Sequence, residues 1–211
     1  LITAIEIAAS KHDGKAVVPE VCLYFQNSLF RANRTSKYSA EELDAFRSEN
    51  YPPLAEVGIS IHFSSDGIAH PGQGPLKIHT QMECAIAVVK LYPGMNESML
   101  RSVLSIPGTK GVILETYGSG NAPTTSWFID AVKDAVGRGI PVVNVTQCRN
   151  GGVQMDVYET GKELQKAGVI SGHDSTFEAA LTKLMFLLGQ GLDANELSKQ
   201  MRLSLRGEIT V

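Results

Sequence analysis

The sequence lacks the features that mark several common protein classes. Its longest apolar run, over 85–89, falls far short of the roughly 18 residues that a membrane-spanning helix requires. It has no excess of positive charge, since 19 Lys and Arg stand against 22 Asp and Glu, whereas nucleic-acid binders need a clustered basic face. Only three cysteines occur, without a Cys-x-x-Cys pair, so we predict a reducing compartment rather than a disulfide framework.

Patterns that hold metals or cofactors are also missing. The histidines have no metal-ligand spacing and fall mostly in predicted turns or a predicted linker, so no metal site is supported. They are His12, His62, His70, His79 and His173. No segment has the Gly-x-Gly-x-x-Gly or P-loop pattern, and no cofactor is predicted. Cys148 has no base visible near it in the sequence, so we expect a small buried thiol rather than a nucleophile.

The chain opens on a segment that has the apolar spacing of a helix interior. Leu1, Ile5 and Ala8/Ala9 follow the i, i+4, i+7 pattern, with no initiator Met and no capping residue before them. We therefore predict a helix from Leu1 with these residues on one apolar face. The abrupt start also leads us to expect that a segment preceding Leu1 is missing.

The first third of the chain predicts short strands and one short helix. Residues 20–30 read as two strands with a break at Asn27-Ser28. Residues 39–42 have the Ser-x-x-Glu form of a capping box, which predicts a helix through Phe46. A further strand is predicted over 58–63. Residues 64–81 are rich in Gly, Pro, His and Ser, and this composition favours a linker.

The rest of the chain alternates between apolar strands and amphipathic helices. The predicted strands cover 84–91, 111–116 and 140–145. The predicted helices cover 96–106, 124–138, 156–166 and 175–188, with Ser175 as the predicted cap of the fourth, and a last one is opened by Asp193. The spacing places Met99, Val103 and Ile106 on one side of the first of these helices, and it turns Phe128, Ala131/Val132 and Ala135 of the second inward. Apolar strands that alternate with helices indicate βαβ units, so we predict an α/β fold whose C-terminal part is a parallel sheet with flanking helices.

Two loops and one lysine are candidates for chemistry. In an open parallel sheet, ligands bind beyond the carboxyl ends of the strands, where loops 118–123 and 146–152 are placed. The glycines of the first loop fit a tight turn, or backbone N–H groups that bind an anion, and spacing leaves both open. Lys37 lies among hydroxyl side chains and could move protons if desolvation favoured its neutral form, although most loop lysines are solvated.

A set of short motifs runs through nearly the whole chain. The motifs are Tyr24-Phe-Gln-Asn27, Arg34-Thr-Ser-Lys37, Asp44-Ala-Phe46, Pro52-Pro-Leu54, Tyr92-Pro-Gly94, Tyr117-Gly-Ser-Gly-Asn-Ala-Pro123, Val143-Asn-Val-Thr-Gln-Cys148 and Leu205-Arg-Gly-Glu208. In their order and spacing they resemble the type I, cytosolic-type L-asparaginases. The resemblance implies a cytoplasmic, two-domain α/β amidohydrolase that converts L-asparagine to L-aspartate and ammonia, as a homodimer or dimer of dimers without a metal or cofactor.

The resemblance also implies a domain organisation. Residues 1–63 correspond to the C-terminal part of the N-terminal asparaginase domain, 64–83 to a linker and 84–211 to the C-terminal α/β domain. The family's nucleophilic threonine, and a second threonine with its aspartate, lie in Thr-Gly-Gly-Thr and Gly-Thr-Asp-Thr motifs. Neither motif occurs here, so we expect a segment absent from this chain to supply them.

The resemblance implies roles for individual residues of this chain. Lys37 matches the catalytic lysine, which can remove a proton from a threonine nucleophile. Asn121 matches the residue that, in related asparaginases, reaches across the intimate dimer toward the substrate, where an amide can both donate and accept. Cys148 matches a cysteine near the effector site of allosteric bacterial members. The arginine of that site is replaced by Glu115, which repels a carboxylate, so activation by asparagine in that mode is not expected.

Two other functions remain open at this stage. An asparaginase-like subunit of a tRNA amidotransferase would need a tRNA-binding insertion, and the short loops and modest charge count against it. A non-catalytic amino-acid-binding module would result if nothing precedes Leu1. The substrate is expected to be L-asparagine, with L-glutamine as the second candidate, and the sequence does not decide between them.

Overall fold

The structure is a computed structural model that describes residues 1–69 and 74–210. The chain folds into two compact units, Leu1–Ile78 and His79–Val211, called here the N-terminal and the C-terminal unit. The predicted domain limits of 63 and 84 stay a prediction, and residues 70–73 of the predicted linker, His70 among them, lie outside the described residues. Among the helices that the structure describes, none is long and apolar enough to cross a membrane.

The N-terminal unit consists of one helix and several short strands. Its elements are α1 Ile2–Ala9, β1 Lys11–His12, β2 Lys15–Ala16, β3 Cys22–Phe25, β4 Ser28–Arg31, a 3-10 turn Ala32–Arg34, β5 Ser36–Lys37, β6 Phe46–Arg47, β7 Ala55–Val57 and β8 Ile61–Phe63. Strands β3, β4, β7 and β8 form an antiparallel sheet in that order, while β1 pairs with β2 and β5 with β6. The two strands predicted over 20–30 are confirmed as β3 and β4.

Helix α1 is confirmed, but its predicted apolar face is wrong. Leu1 is 95% exposed and Ile5 is 59% exposed, whereas Ile7 is only 5% exposed. Ile7 packs in a cluster with Leu29 and Leu54 of the same unit. The contact with the antiparallel sheet therefore decides which side of the helix is buried, and the spacing of apolar residues within the helix does not.

The helix predicted from the capping box is also wrong, because the segment is the loop of a hairpin. The Ser39 hydroxyl accepts hydrogen bonds from the N–H groups of Glu41 and Glu42, as a capping residue does. No helix follows, since Lys37 pairs with Phe46 across the hairpin and binds the chain there. Leu43 is 87% exposed, so a helix here would have had no apolar face to bury, and short helices depend on such packing.

The strand predicted over 58–63 is half the expected length. Residues 58–60 form the turn that joins β7 to β8, with Val57 opposite Ile61. Strand β7 has only three residues, Ala-Glu-Val, and this is too short to show an alternating pattern.

The C-terminal unit confirms the predicted parallel sheet. Its elements are β9 Ile86–Lys90, α2 Glu97–Leu104, β10 Gly111–Thr116, α3 Ser126–Gly137, β11 Val142–Thr146, α4 Glu159–Lys166, β12 Ile170–Ser171, α5 Phe177–Gly189 and α6 Ala194–Arg202. The strand order is β12-β11-β10-β9 and all three pairings are parallel. The α/β class is therefore shown, while β12, with two residues, had not been predicted.

The core of this unit lies on both faces of the sheet. Successive residues of a strand point to opposite faces, so Val112 and Leu114 pack with Phe128 of α3. Ile113 packs on the other face with Leu184 of α5. Burial on both faces explains why the central strands are mostly apolar.

The buried faces of the helices were predicted with mixed success. The face of α3 is confirmed, since Phe128 and its neighbours Ala131, Val132 and Ala135 are buried. In α2 the predicted side is wrong, because Leu100 and Leu104 are buried while Met99 is 49% exposed. Both sets have helical spacing, and only packing against the sheet distinguishes them.

Side-chain caps begin three of these helices. Asn96 accepts a hydrogen bond from the Met99 N–H at the start of α2, and Asp193 caps α6 as predicted. Helix α5 is capped by Thr176 rather than by the predicted Ser175. The Ser175 hydroxyl is buried and donates instead to the carbonyl of Gly172.

A buried ion pair fixes the segment after α6 to helix α5. The Lys183 ammonium lies 2.6 Å from the Glu208 carboxylate, and both side chains are almost fully buried. Lys183 also donates to the carbonyl of Met201, and Glu208 accepts from the N–H groups of Leu205 and Arg206. Burial by itself would raise the pKa of Glu208, but the hydrogen bonds that it accepts from Leu205, Lys183 and Arg206 hold the pKa below its usual value.

We predict that Glu208→Gln lowers the free energy of unfolding by about 3 kcal/mol at neutral pH, because the variant leaves the Lys183 charge buried without a counter-charge. The ionised Glu208 stabilises the fold fully above its usual pKa of 4.5. This stabilisation is lost as the pH falls through the lower pKa of the folded state. Urea unfolding between pH 3 and pH 7 should therefore show the variant and the wild type converging in acid.

The matched control is Glu163→Gln, which removes an exposed carboxylate paired with Lys166 and should leave the urea midpoint unchanged. A Glu208→Gln variant with the wild-type midpoint at pH 7 would contradict the role given to the buried pair.

Candidate functional site

Lys37 lies at the end of β5, in the hairpin that β5 forms with β6. Its side chain is exposed, and its ammonium nitrogen lies 5.9 Å from the centre of the Phe46 ring on the paired strand. Phe46 in turn packs edge-on against Phe25, with the ring centres 5.0 Å apart. The Thr35 hydroxyl donates to the carbonyl of Arg31. Thr35 therefore stabilises the turn before β5 and is not part of a network around Lys37.

The chain on either side of this hairpin is held by an aromatic ring between two guanidinium groups. Arg31 lies 4.4 Å and Arg34 lies 5.3 Å from the centre of the Tyr51 ring, distances at which a cation attracts an aromatic face. Arg34, itself 2% exposed, donates to the carbonyl of Asn50, which follows β6. The segments before β5 and after β6 are thus connected, and this fixes the base of the hairpin that carries Lys37.

Arg31 is also part of a buried ion pair. It binds the Glu20 carboxylate through two nitrogen atoms, and it donates to the carbonyl of Gly67. Hydrogen bonding to Glu20 raises the pKa of Arg31. Burial would raise the pKa of Glu20, but hydrogen bonds from Arg31 and from the Ala69 N–H hold it below its usual value. Both groups are therefore charged at neutral pH.

Asn121 lies in the C-terminal unit, in the loop between β10 and α3. Tyr117 and Asn121 exchange two backbone hydrogen bonds of 2.9 Å and 2.8 Å, which close the loop. Gly118 has a φ of +49° and Gly120 a φ of +112°, values that favour glycine. The sequence left two interpretations open for these glycines, a tight turn or an anion-binding loop. The positive φ angles meet the requirement of the tight turn.

A buried polar pair forms the floor under this loop. The Thr116 hydroxyl donates to Oδ1 of Asn144 over 2.7 Å, and both residues are 0% exposed. A Cβ atom on Gly120 would lie 3.5 Å from Nδ2 of Asn144 and 3.0 Å from a methyl group of Val153. Within the described residues, Nδ2 of Asn144 has no hydrogen-bond partner. The loop therefore rests directly on the ends of β10 and β11, with no space for a side chain at Gly120.

Two further hydrogen bonds hold the backbone of the loop from its sides. The Thr146 hydroxyl donates to the carbonyl of Gly118. The Gln154 N–H donates to the carbonyl of Ser119 over 2.8 Å. The neighbouring Val153 N–H donates to the carbonyl of His173, a residue with a φ of +54°. The carboxyl end of the sheet is thus closed by loops that bind each other.

The side chain of Asn121 is half-buried and contacts helix α4. Its Oδ1 atom accepts a hydrogen bond from the Thr160 hydroxyl over 3.4 Å. Sequence reasoning did not find Thr160, because the two residues are far apart in the chain and no motif connects them. It also missed Asn144, although a polar residue within the apolar strand Val142–Thr146 was a usable signal.

The second loop predicted at this edge carries Cys148, and here one expectation fails. Cys148 is exposed rather than buried, because β11 ends at Thr146 and the thiol lies beyond the sheet. Its N–H donates to the Thr146 hydroxyl. The Gln147 side chain donates to the carbonyls of Leu91 and Glu115, and so joins the ends of three strands.

Glu115 lies near the carboxyl end of β10. Its carboxylate is 3.7 Å from the Lys90 ammonium on β9, and its side chain is 14% exposed. In residues 1–69 and 74–210, no group of three or more His, Cys, Asp or Glu side chains could hold a metal ion.

These features define the structural class of the chain. The C-terminal unit is a parallel α/β unit with its candidate loop at the carboxyl end of the strands, and the N-terminal unit is mainly antiparallel. The structure places Lys37 in the N-terminal unit and Asn121 in the C-terminal unit. The chain is thus an α/β protein made of two compact units.

Family models assign the chain more specifically. The model "Asparaginase, N-terminal" matches residues 1–69, and the model "Glutaminase/Asparaginase C-terminal domain" matches residues 85–201. The chain therefore belongs to the glutaminase/asparaginase family, as the resemblance predicted.

Individual relatives agree with this assignment. The chain is 45% identical to L-asparaginase 1 of Escherichia coli over 210 residues, which cover 100% of this chain and 60% of that protein. It is 44% identical to the 60 kDa lysophospholipase of Mus musculus, over 94% of this chain and 35% of that protein. The crystal structure of L-asparaginase I from Vibrio cholerae superposes with a TM-score of 0.85 at 42% identity, over 92% of this chain and 58% of that one. The chain thus spans about 60% or less of each relative's length.

The geometry of the Asn121 loop leads to a prediction for Gly120→Ala. The new methyl group would lie 3.0 Å from a methyl group of Val153, and alanine rarely adopts the φ of +112° that the backbone has there. We therefore expect the free energy of unfolding to fall by about 2 kcal/mol. Gly137→Ala is the matched control, because Gly137 is helical and its Cβ would meet nothing within 4 Å. That variant should be neutral or slightly more stable. Equal urea midpoints for the two variants would refute the close contact under the loop.

Proposed function

We propose that this chain is part of an enzyme that hydrolyses L-asparagine to L-aspartate and ammonia. The observation that carries the proposal is the match over both units to a protein named L-asparaginase 1. The candidate residues of both units lie within the matched ranges. L-Glutamine is the second substrate to test, since the matching C-terminal family is described as glutaminase/asparaginase.

The reaction needs a nucleophile, a base and groups that hold the substrate. In the proposed mechanism a threonine hydroxyl attacks the carboxamide carbon and gives up its proton, which Lys37 passes to the amide nitrogen. The C–N bond then breaks and the nitrogen leaves as ammonia. Water then hydrolyses the resulting ester to L-aspartate. The Thr-Gly-Gly-Thr and Gly-Thr-Asp-Thr motifs that supply the threonines in this family are not found in residues 1–211, so the nucleophile would come from outside this chain.

Lys37 has the role of proton carrier in this proposal. Lys37 lies on the short strand β5, and the contacts of Arg31 and Arg34 with Tyr51 fix the base of its hairpin. The backbone position from which the amine extends is therefore fixed. The exposed ammonium group is not consumed by an ion pair in the described contacts. A lysine amine within reach of the attacking hydroxyl can serve as its proton acceptor.

Asn121 would bind the substrate, and the enzyme would act as a cytoplasmic homo-oligomer without a cofactor. The loop that carries Asn121 is fixed by backbone hydrogen bonds and by the buried Thr116–Asn144 pair. A binding group whose backbone is already fixed loses little conformational entropy when the ligand binds. This rigidity supports a binding role for the amide.

We predict that Lys37→Met in the intact protein lowers kcat for ammonia release by at least about 100-fold, the range expected when a proton-transfer group is removed. The fold should be retained because the Lys37 side chain is exposed. The measurement is coupled ammonia detection with circular dichroism on the same samples. Lys15→Met, at another exposed strand lysine, is the control and should keep full activity. Near-normal ammonia release by pure Lys37→Met would refute the assignment.

We also predict a hyperbolic dependence of rate on L-asparagine concentration, because Glu115 repels the effector carboxylate that an arginine would bind. Initial rates of the intact enzyme over a wide range of L-asparagine concentration test this. A sigmoidal curve that Cys148→Trp abolishes, and that active-site substitutions do not, would show that the effector site works despite Glu115.

A further inference from the structure

The Asn121 side chain has one remaining conformational choice in a loop that is otherwise fixed. Its backbone is bound to Tyr117, and the residues before it are bound to Thr146 and Gln154. The amide group can still turn over about its last side-chain bond, which exchanges its oxygen and nitrogen atoms. Which atom faces a ligand therefore depends on what contacts the amide.

Thr160 is the residue that makes this contact. Its hydroxyl lies 3.4 Å from Oδ1 of Asn121 and donates a hydrogen to it. Thr160 stands in the first turn of α4, and this turn is held firmly: a Cβ on the next residue, Gly161, would come within 2.6 Å of the Met155 carbonyl. The hydroxyl thus has a fixed place from which to hold the amide oxygen toward α4.

The nitrogen of the same amide is then turned toward Gly118. A Cβ on Gly118 would lie 4.0 Å from Nδ2 of Asn121, and because the residue is glycine no side chain covers the amide from that side. Within residues 1–69 and 74–210, Nδ2 has no hydrogen-bond partner. Both hydrogens of the amide are therefore available to a ligand.

We propose that Thr160 is a positioning residue that makes Asn121 a hydrogen-bond donor to a carboxylate oxygen of the substrate. The proposal rests on the proposed function, because it assigns Asn121 to the substrate. An amide turned the other way would present an oxygen to an anionic oxygen, and the two would repel each other. Hydrogen bonds to ionised groups are the stronger ones, so this orientation matters most for a carboxylate ligand.

The test is a set of variants of the intact protein, assayed for ammonia release from L-asparagine. Thr160→Val removes the hydroxyl and should raise KM about fivefold to tenfold while kcat changes less than twofold. Thr160→Ser keeps the hydroxyl and should restore the wild-type KM. Thr182→Val, which removes a hydroxyl bound to the Glu178 carbonyl within α5, is the control and should leave KM unchanged.

Asn121→Ala and the double variant with Thr160→Val separate action through Asn121 from a general structural effect. In an Asn121→Ala background, Thr160→Val should have no further effect on KM, because the group that it orients is gone. An unchanged KM in the single Thr160→Val variant, or independent effects in the double variant, would overturn the proposal.

A second measurement tests the orientation without turnover. In an isotope-labelled sample, the two side-chain amide signals of Asn121 should shift on addition of L-aspartate, and Thr160→Val should reduce that shift. If the wild type releases no ammonia, the proposed function fails, and this measurement still decides the role of Thr160. Amide signals that respond identically in both proteins would overturn it.

Discussion

Burial of the parallel sheet on both faces is the constraint on which the rest of the C-terminal unit depends. Helices cover the face of Val112 and the face of Ile113, so both faces of the central strands are closed to ligands. Because all four strands run in one direction, their carboxyl ends meet at one edge, and the loops after β10 and β11 must lie side by side there. The position of Asn121 follows from this topology rather than from any single contact.

At that edge the loops are firmly held, while a buried polar side chain beneath them is only partly hydrogen-bonded. Thr116 and Asn144 place a hydrogen-bonded pair inside otherwise apolar strands, and buried polar groups are costly unless they are bonded. The neighbouring loops are bonded to each other from several sides. A rigid backbone of this kind leaves side-chain rotation as the main freedom of the site, and a single hydroxyl such as that of Thr160 can then decide what the site presents to a ligand.

The sequence predicted those parts of the fold that burial alone dictates. Strand β10 could be located to the residue because it is apolar on both faces, and the buried side of α3 was correct for the same reason. The helix expected after Ser39 failed because pairing between Lys37 and Phe46 joins residues that local patterns treat separately. Lys37 and Asn121 became candidates through resemblance to a family, whereas the contact of Asn121 with Thr160 depends on tertiary structure that no local pattern reports.

The restrictions at Gly120 limit the substitutions that this protein can accept during evolution. The position is restricted twice, by a φ of +112° and by the Val153 methyl group beneath it. A smaller residue at 153 would create room for a side chain but would leave the backbone conformation unfavourable for it. No single neighbouring mutation can therefore make the position permissive. Sequence drift in this loop has to proceed around a fixed glycine, so variation among descendants should collect at the outward-facing positions beside it.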